Sequence, residues 1–578
     1  MTQDVVVSRH RCATAGLVDR LWDLQQRSGT QHISTDDMSQ VACDLGVSLG
    51  FVRGVASFYS MLSDKPRGRH IIRVCQSPQC ELAGGNGLAG WLKDELAIDL
   101  GETTPDGQFT LEGSSCLGAC SDAPTVQVDD ALYTRVTPAV LAGILAQARN
   151  KDWVSSQPNL PTILGDRHLL RSCGHVELED AVANGVYQGL KRVLKDLSPE
   201  DVLATVKDAR LRGRGGAGFP TARKWEFTRN AVGEPKYLIC NADEGEPGTF
   251  KDRVLLEGCP HLVIEGMILA GYAIGASKGF IYIRGEYAES IARIQRALDE
   301  ARRANYLGEE ILGSSYSFDI EVYRGAGAYV CGEETSLIES MEGKRGVPRL
   351  RPPYPASFGL FGKPTVINNV ETLANVPVIV REGSTAYLSL GVESSPGTKL
   401  YPLSGAVVNT GVAEAQMGIT LRELIYDIGG GIADGKSFLA ALVGGAAGMF
   451  LGEDMLDVPL DYDGLASRGA VLGSGAILVL DEDCQVAPLI SDILHFFRHE
   501  SCGQCVPCRV GTARLVEMMD VLRASGKESD LDLMLQTALT MKQTSLCPLG
   551  QSPYTMLKSA VKYFQDQLLT DKNQAEGR

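Results

Sequence analysis

Arg212-Gly213-Arg214-Gly215-Gly216-Ala217-Gly218-Phe219-Pro220 contains a literal G-x-G-x-x-G. In a dinucleotide-binding Rossmann turn that motif follows a strand and opens a helix. Here the preceding stretch, Val202 to Leu211, is helix-like, and Pro220 follows at once. The run is better read as a flexible loop whose amides, with Arg214 and Lys224, cradle a phosphate or a flavin edge. Downstream, Asn241-Ala242-Asp243-Glu244-Gly245-Glu246-Pro247-Gly248 sets three acids in four positions after a strand-like run. Such a cluster is either a solvated acidic turn or a set of acceptors for ribityl and ribose hydroxyls and an amide. Gly325 to Glu334 pairs Tyr329 with Glu333 and Glu334, and Asn368-Asn369-Val370-Glu371-Thr372 adds amides that can read a ring edge. Phe219, Phe227 and Tyr354 can stack on planar cofactors, although each taken singly also suits a core.

Two cysteine constellations flank this region. Cys75-x4-Cys80 and Cys116-x3-Cys120 each follow a strand-like segment. Four thiolates on two loops suit a [2Fe–2S] cluster, one loop per iron. Structural zinc is the second reading, since zinc sites favour tighter knuckles, and four unrelated buried thiols are the third. Gly118 suits close approach of the backbone to sulfide. Near the other end, Cys502-x2-Cys505-x2-Cys508 with remote Cys547 has the three-plus-one layout of a [4Fe–4S] cluster. Pro507 stiffens that loop. The remaining cysteines, Cys12, Cys43, Cys173, Cys240, Cys259, Cys331 and Cys484, are read as isolated small core side chains.

The chain has 578 residues, 44% of them hydrophobic and 22% charged, and a net charge of −16. That is ordinary globular usage with length for three to five domains at about 100–200 residues each, and it argues against a general nucleic-acid or anionic-membrane binder. The longest apolar stretch, His261 to Ile283, is broken by Glu265 and Lys278. The first residues lack a basic-then-apolar signal layout, so a cytoplasmic location is expected. A helical period runs through residues 1–65. Residues 70–148 alternate strands and helices, and Asn150 to Pro161 reads as a linker. Residues 397–480 read as β-rich and 486–566 as helical, with a polar tail that frays.

Together, Arg212–Thr221, Asn241–Arg253, Gly327–Thr335, Ile367–Thr372 and Ser501–Arg509 resemble the NADH-oxidising flavoprotein subunit of respiratory complex I. Its relatives include diaphorase subunits of soluble hydrogenases and of NAD-dependent formate dehydrogenases. Residues 1–148 resemble the partner subunit of that family. The resemblance implies a multidomain α/β chain. Its parts are a helical segment (1–68), a thioredoxin-like [2Fe–2S] domain (69–149), a linker with lead-in helices (150–199), a Rossmann-like FMN and NAD domain (200–390), a ubiquitin-like β-grasp domain (391–482) and a helical bundle carrying [4Fe–4S] (483–578). It implies FMN near Gly213, Arg214, Gly215, Gly216, Lys224, Asn241, Asp243, Glu244, Tyr329, Gly332, Glu333, Asn368 and Asn369. NAD(H) would stack above, lined by Phe219, Phe227 and Tyr354, with Glu246 and Glu334 positioning the nicotinamide. The cluster ligands would be Cys75, Cys80, Cys116 and Cys120, and Cys502, Cys505, Cys508 and Cys547.

One departure is Arg351-Pro352-Pro353-Tyr354, where many relatives have Lys-Pro-Pro-Phe. Acidic Glu246 near the adenosine ribose would repel a 2′-phosphate, so NAD is expected over NADP. Fusion of two subunits, with text such as Leu21-Trp22-Asp23 and Ala56-Ser57-Phe58-Tyr59, is similar to the diaphorase subunit of soluble NAD-reducing [NiFe] hydrogenases. The implied activity exchanges a hydride between NAD(H) and FMN and passes single electrons to an iron–sulfur subunit and a hydrogenase catalytic subunit. The alternatives are the corresponding subunit of a formate dehydrogenase, the NADH-input subunit of complex I, and an iron–sulfur scaffold without flavin. Neither nucleic acid nor direct membrane insertion is expected. If the ligand sets are as assigned, Cys547→Ser abolishes or alters the cubane signal in electron paramagnetic resonance and leaves the [2Fe–2S] signal. Loss of both signals from the folded variant would overturn the assignment.

Overall fold

The computed structural model describes residues 14–149 and 160–570. Cys12, most of the expected linker and the polar tail lie outside them. The first described helices, α1 (Leu17–Arg27), α2 (Thr35–Leu45) and α3 (Leu49–Ala56), bury the stripe their period lays out, Leu17, Val18 and Leu21 on α1 and Val52 and Val55 on α3. Ser34 starts α2 with a capping box closed by Asp37. The segment is tied to the middle of the chain: Tyr59 donates to the Lys344 carbonyl at 2.8 Å, and Met61 N to the Ala326 carbonyl at 2.9 Å.

A small α/β unit follows. It consists of β1 (His70–Cys75), α4 (Gly85–Leu96), β2 (Phe109–Ser114), β3 (Val126–Val128), β4 (Ala131–Tyr133) and α5 (Pro138–Arg149). The strand order is β2-β1-β3-β4, with β1 parallel to β2 and antiparallel to β3. Cys75 closes β1 and Cys116 lies just past β2, so the two loops leave the same edge of two neighbouring parallel strands.

After β5 (Ile163–Gly165) come α6 (Gln188–Asp196), α7 (Pro199–Asp208) and α8 (Thr221–Asn230). The central unit is β6 (Tyr237–Ala242), α9 (Lys251–Gly258), α10 (Pro260–Ile274), β7 (Lys278–Ile283), α11 (Ala288–Arg303), β8 (Asp319–Arg324), α12 (Glu334–Met341), β9 (Thr365–Asn369) and α13 (Val370–Glu382). Its sheet is wholly parallel in the order β8-β7-β6-β9. Such a sheet needs both faces covered, which is why β6 is a near-continuous buried apolar run. Helix α10 packs inside, buried along nearly all its length. Glu265, which interrupts its apolar run, accepts the backbone amides of Tyr187 and Leu190 at 2.7 and 3.0 Å. Among the described residues no single helix is long and apolar enough to cross a membrane. Helices α9 and α10 reach that composition only together, across a 97° bend.

The next unit holds β10 (Thr398–Gly405), β11 (Gly411–Gln416), β12 (Phe438–Val443), β13 (Met449–Leu451) and β14 (Ile477–Asp481) in the order β13-β12-β14-β10-β11. The last strand inserts between the first and third and runs parallel to the first, which is the β-grasp topology. The stretch expected only as linker and lead-in helices adds a strand here, with β5 running parallel to β11 at its edge. The chain closes with α14 (Val486–Glu500), α15 (Val506–Ser525), α16 (Glu528–Thr544) and α17 (Pro548–Thr570), packed as a bundle.

The lead-in segment is held by one carboxylate. Buried Glu414 on β11 accepts the amides of His168, Leu169 and Leu170 at 3.0, 2.7 and 2.9 Å and the Thr398 hydroxyl at 2.7 Å. Glu414→Ala leaves three buried donors without an acceptor and is expected to cost about 3 kcal/mol or more. The loss would be read as an earlier unfolding transition and faster hydrogen exchange over residues 160–175. Glu414→Gln, which keeps an acceptor, should lose less.

Candidate functional site

In an open parallel sheet, a ligand crevice forms outside the carboxyl ends of the strands, where connections depart in opposite directions. Here that place lies between β6 and β9, where Cys240 pairs with Asn368 and Asn241 with Asn369. The amide of Asn241 donates to the Gly332 carbonyl at 2.9 Å, and its oxygen accepts Asp243 N at 3.1 Å. Asn368 accepts the Trp225 indole N–H at 2.8 Å. Asn369 accepts Glu371 N at 3.0 Å, starting α13, and donates to Asp252 at 2.6 Å. The glycine loop closes over this edge. A side chain at Gly215 would bring its Cβ to 3.0 Å from that of Asn369.

The glycine loop, expected to be flexible, is tied to its surroundings by hydrogen bonds. Gly213 N donates to the Phe219 carbonyl at 2.9 Å, Arg212 Nε to the Gly218 carbonyl at 2.8 Å, and the Tyr462 hydroxyl to the Gly213 carbonyl at 2.8 Å. Arg214 is expected to meet a phosphate or a flavin edge. Its guanidinium is fully buried beneath the loop, donating to the Tyr387 hydroxyl and the Pro396 carbonyl at 3.0 and 2.8 Å, while Nε and Nη1 have no hydrogen-bond partner. A glycine-rich motif shows which backbone can approach a ligand but not which way the intervening side chain turns.

The acids divide into two groups. Glu244 accepts the amides of Asp252 and Arg253 at 2.9 and 3.2 Å, and burial pushes its pKa up to about 8. Glu333 caps α12 through the amides of Thr335 and Ser336. Both carboxylates, expected to meet ligand hydroxyls, therefore already hold helix starts. Asp243 is different: its Oδ2 is buried without a hydrogen-bond partner, and burial holds its carboxyl well above the ordinary range. A buried acceptor left open in this way fits a ligand that brings donors.

At the mouth, Phe219, Phe227 and Tyr354 are 44, 50 and 57% exposed. Lys224 and Arg351 reach Glu334 at 2.7 and 3.3 Å. Burial opposes ionisation of Glu334, but these two cations outweigh it and hold its pKa below the usual value. Half-buried Glu246 accepts the Tyr329 hydroxyl and Ala447 N, the latter at 2.6 Å, and burial pushes its pKa up to about 7. The glycine loop, the asparagine edge, the open Asp243 oxygen and exposed aromatic faces fit FMN in the crevice with a nicotinamide nucleotide above it.

The thiols of the first constellation are all buried. Cys116 and Cys120 lie 3.5 Å apart, and Gly118 N donates to Cys116 Sγ at 3.4 Å. Burial opposes ionisation of Cys75, but bonds from Cys116, Cys80 and Ser77 outweigh it and hold it well below the usual thiol value. The bond to Cys75 holds Cys80 well above that value, and the bond to Cys120 does the same for Cys116. The bonds that link Cys75 and Cys80 to each other and Cys75 to Cys116 show that the two loops converge. Gly118 sits at a φ of +71° with Tyr287 against it, so its missing side chain makes room for that ring as well.

In the second constellation, Cys508 lies in the first turn of α15 and Cys547 just before α17. Gly550 lets the two approach, since a Cβ there would sit 2.9 Å from that of Cys508. Burial pushes Cys547 up to about 12 and Cys508 up to about 11, so each becomes a thiolate only against a cation. Among the described residues no group of three or more Cys, His, Asp or Glu is arranged to hold a single metal ion. Two sets of four soft donors fit iron–sulfur clusters.

Three residues that sequence reasoning missed join these sites. Glu500, at the end of α14, accepts Ser115 Oγ at 2.5 Å and Tyr329 N at 2.9 Å. Arg284, at the end of β7, donates to the Glu244 carbonyl at 2.9 Å and the Cys116 carbonyl at 2.7 Å. Arg253 donates to the Gly118 carbonyl at 3.3 Å. Their signals were positional: Glu500 stands two residues before Cys502, and Arg284 one residue past a strand that borders β6.

Comparison with known proteins agrees with this arrangement. Residues 4–149 match the thioredoxin-like [2Fe–2S] ferredoxin family. Residues 206–378 match the Nuo51 FMN-binding domain, and residues 488–571 the NADH-ubiquinone oxidoreductase-F iron–sulfur binding region. The NAD-reducing hydrogenase HoxS subunit alpha of Cupriavidus necator is 37% identical over 568 residues, 96% of this chain and 92% of that protein. In Rhizobium meliloti, the F 2 subunit of NADH-quinone oxidoreductase is 46% identical over 68% of this chain and 93% of its own length. The NADP-reducing hydrogenase subunit HndC of Solidesulfovibrio fructosivorans is 46% identical over 69% of this chain and 81% of its own. The crystal structure of an air-oxidised NAD+-reducing [NiFe]-hydrogenase contains a chain that superposes with a TM-score of 0.87 at 31% identity, covering 98% of this chain and 94% of that one. With one such relative 37% identical over 96% of its length, this chain belongs to the family of NAD-reducing hydrogenase α subunits and NADH-quinone oxidoreductase F subunits.

Proposed function

We propose that this chain is the nucleotide-handling diaphorase module of a soluble NAD-reducing [NiFe] hydrogenase, exchanging electron pairs with NAD(H) and single electrons with partner subunits. The observation that carries the reading is the meeting of the crevice with both thiol sets, in a chain similar to a hydrogenase α subunit over 96% of its length. Bound FMN supplies the conversion between two-electron and one-electron chemistry. The chain itself binds, orients and insulates. Phe219, Phe227 and Tyr354 offer faces on which planar rings stack. Ionised Glu334, fixed between Lys224 and Arg351, is a stationary acceptor for a carboxamide. Asp243 offers its open oxygen to a ring or ribityl donor.

The exit toward the partner is read from exposure. The four thiols of the first set are buried, whereas Cys502 and Cys505 are half-exposed, with exposed Val506, Val510 and Leu546 beside them. An apolar rim around half-exposed ligands suits an iron–sulfur partner docking on the bundle. Purification with the natural partners, followed by separate assays of NAD+ reduction with hydrogen and with formate, tests the assignment. Turnover with hydrogen supports it. Turnover with formate alone transfers the chain to a formate dehydrogenase.

Nucleotide choice is a second test, because one relative is named as NADP-reducing. With its pKa raised to about 7, Glu246 is neutral at lower pH and anionic above it. Its repulsion of a 2′-phosphate therefore grows as pH rises. The ratio of kcat/KM for NADH over NADPH in dye reduction is expected to rise by about tenfold between pH 6 and 8. Glu246→Gln should flatten that rise. A ratio independent of pH in the unaltered enzyme would remove Glu246 from the selection.

A further inference from the structure

Cys173 and Cys259 belong to neither cluster set, and the expectation that both are isolated is corrected by the fold. Across 86 positions of sequence, their Sγ atoms come to 2.9 Å. Cys259 is the buried elbow between α9 and α10. Cys173 is half-buried and follows a short helical turn, Leu170–Ser172. The two backbones are zipped together there: Gly174 N donates to the Gly258 carbonyl at 2.9 Å. A Cβ at Gly258 would reach 3.3 Å from Cys173 Sγ and 3.4 Å from its Cβ, so the glycine keeps the approach open.

Thiols this close need only about 1 Å of further approach to reach the sulfur–sulfur bond length of ~2.05 Å. We propose that Cys173 and Cys259 form a reversible redox pair, a dithiol that closes to a disulfide on reaction with a low-molecular-weight disulfide. The half-buried thiol acts first. The Cys173 thiolate attacks one sulfur of the small disulfide, breaks its S–S bond and expels one small thiolate. Cys259 gives up its proton and attacks the Cys173 sulfur of the mixed disulfide, expelling the second small thiolate. The protein loses two electrons and two protons, and the small disulfide is reduced to two thiols.

The bond would link two parts of the molecule that bear on the crevice. The Cys173 side carries β5 and the amides held by Glu414. The Cys259 side ends α9, whose first amides hold the carboxylate of Glu244. The disulfide would thus pin the β-grasp unit's lead-in to a wall of the crevice.

The test uses the intact, cofactor-loaded complex under anaerobic conditions. Oxidised glutathione is added, free thiols are alkylated, and the digest is analysed by mass spectrometry. The expected result is joint loss of alkylation at Cys173 and Cys259, with appearance of one cross-linked peptide pair. Dithiothreitol should restore both thiols, and the visible absorbance of the clusters should not change. Cys259→Ser should trap a glutathione adduct on Cys173, and Cys173→Ser should leave Cys259 alkylated at the untreated level. Full alkylation of both residues in the treated wild-type complex, bonding of Cys173 to a different cysteine, or equal oxidation of Cys259 in Cys173→Ser would each overturn the proposal.

Discussion

The carboxylate of Glu500 sits where three loops meet. One oxygen accepts Ser115, the neighbour of Cys116, and the other accepts the backbone of Tyr329 in the crevice wall. Its own residue leads through Ser501 to Cys502. Arg284 repeats the connection from the opposite side, donating to the carbonyls of Glu244 and Cys116. These bonds are short, largely screened from water and charge-assisted, the class that fixes geometry most firmly. Electron exchange needs groups held at constant separation. A chain folding as several units can supply that only if the units are clamped where the groups lie, and the clamps found here are at that seam.

A second set of charges stiffens the floor of the crevice. Glu371 on α13 meets Lys251 of α9 at 3.1 Å and Lys399 of β10 at 3.4 Å, and accepts Leu400 N at 2.9 Å. Lys251 also holds Asp252 at 2.7 Å. Burial drives Lys399 down to about 8 despite the attraction of Glu371. Burying so many ions is costly, and a hydrophobic floor of equal volume would often be as stable. What the ions add is position and sign. With Arg214 they place positive charge directly under a glycine loop. That suits an anionic phosphate above it, and the buried position keeps the field from being screened.

Much of this was legible from residue types alone. The cysteine spacings pointed to two iron–sulfur regions because thiolates in such patterns have few other uses, and residues 4–149 and 488–571 match iron–sulfur families. The acidic and amide runs after strand-like segments marked the carboxyl edge of the sheet. What stayed hidden depends on long-range placement. Nothing local distinguishes Arg214, whose guanidinium is buried, from an arginine facing a ligand. Strand β5 is three residues long and exists because the edge of β11 is there to pair with. Cys173 and Cys259 meet only because the bend between α9 and α10 brings the elbow against the lead-in.

The polar residues around the crevice differ in how much of their bonding capacity the protein has already used. Glu244 and Glu333 hold helix starts, Asn369 starts α13, and Glu334 is fixed by two cations. A carboxylate already engaged cannot swing to follow a ligand, so these groups define the shape and field of the crevice before anything enters it. The cost of ordering them is met in folding, which leaves binding free of it. The Asp243 oxygen differs from these carboxylates and amides: it is buried and unpaired, so its desolvation is offset only when a donor arrives. A crevice built this way selects for a ligand that presents a donor at that one point and matches acceptors and positive charge already in place elsewhere, which describes the isoalloxazine, ribityl and phosphate parts of a flavin nucleotide.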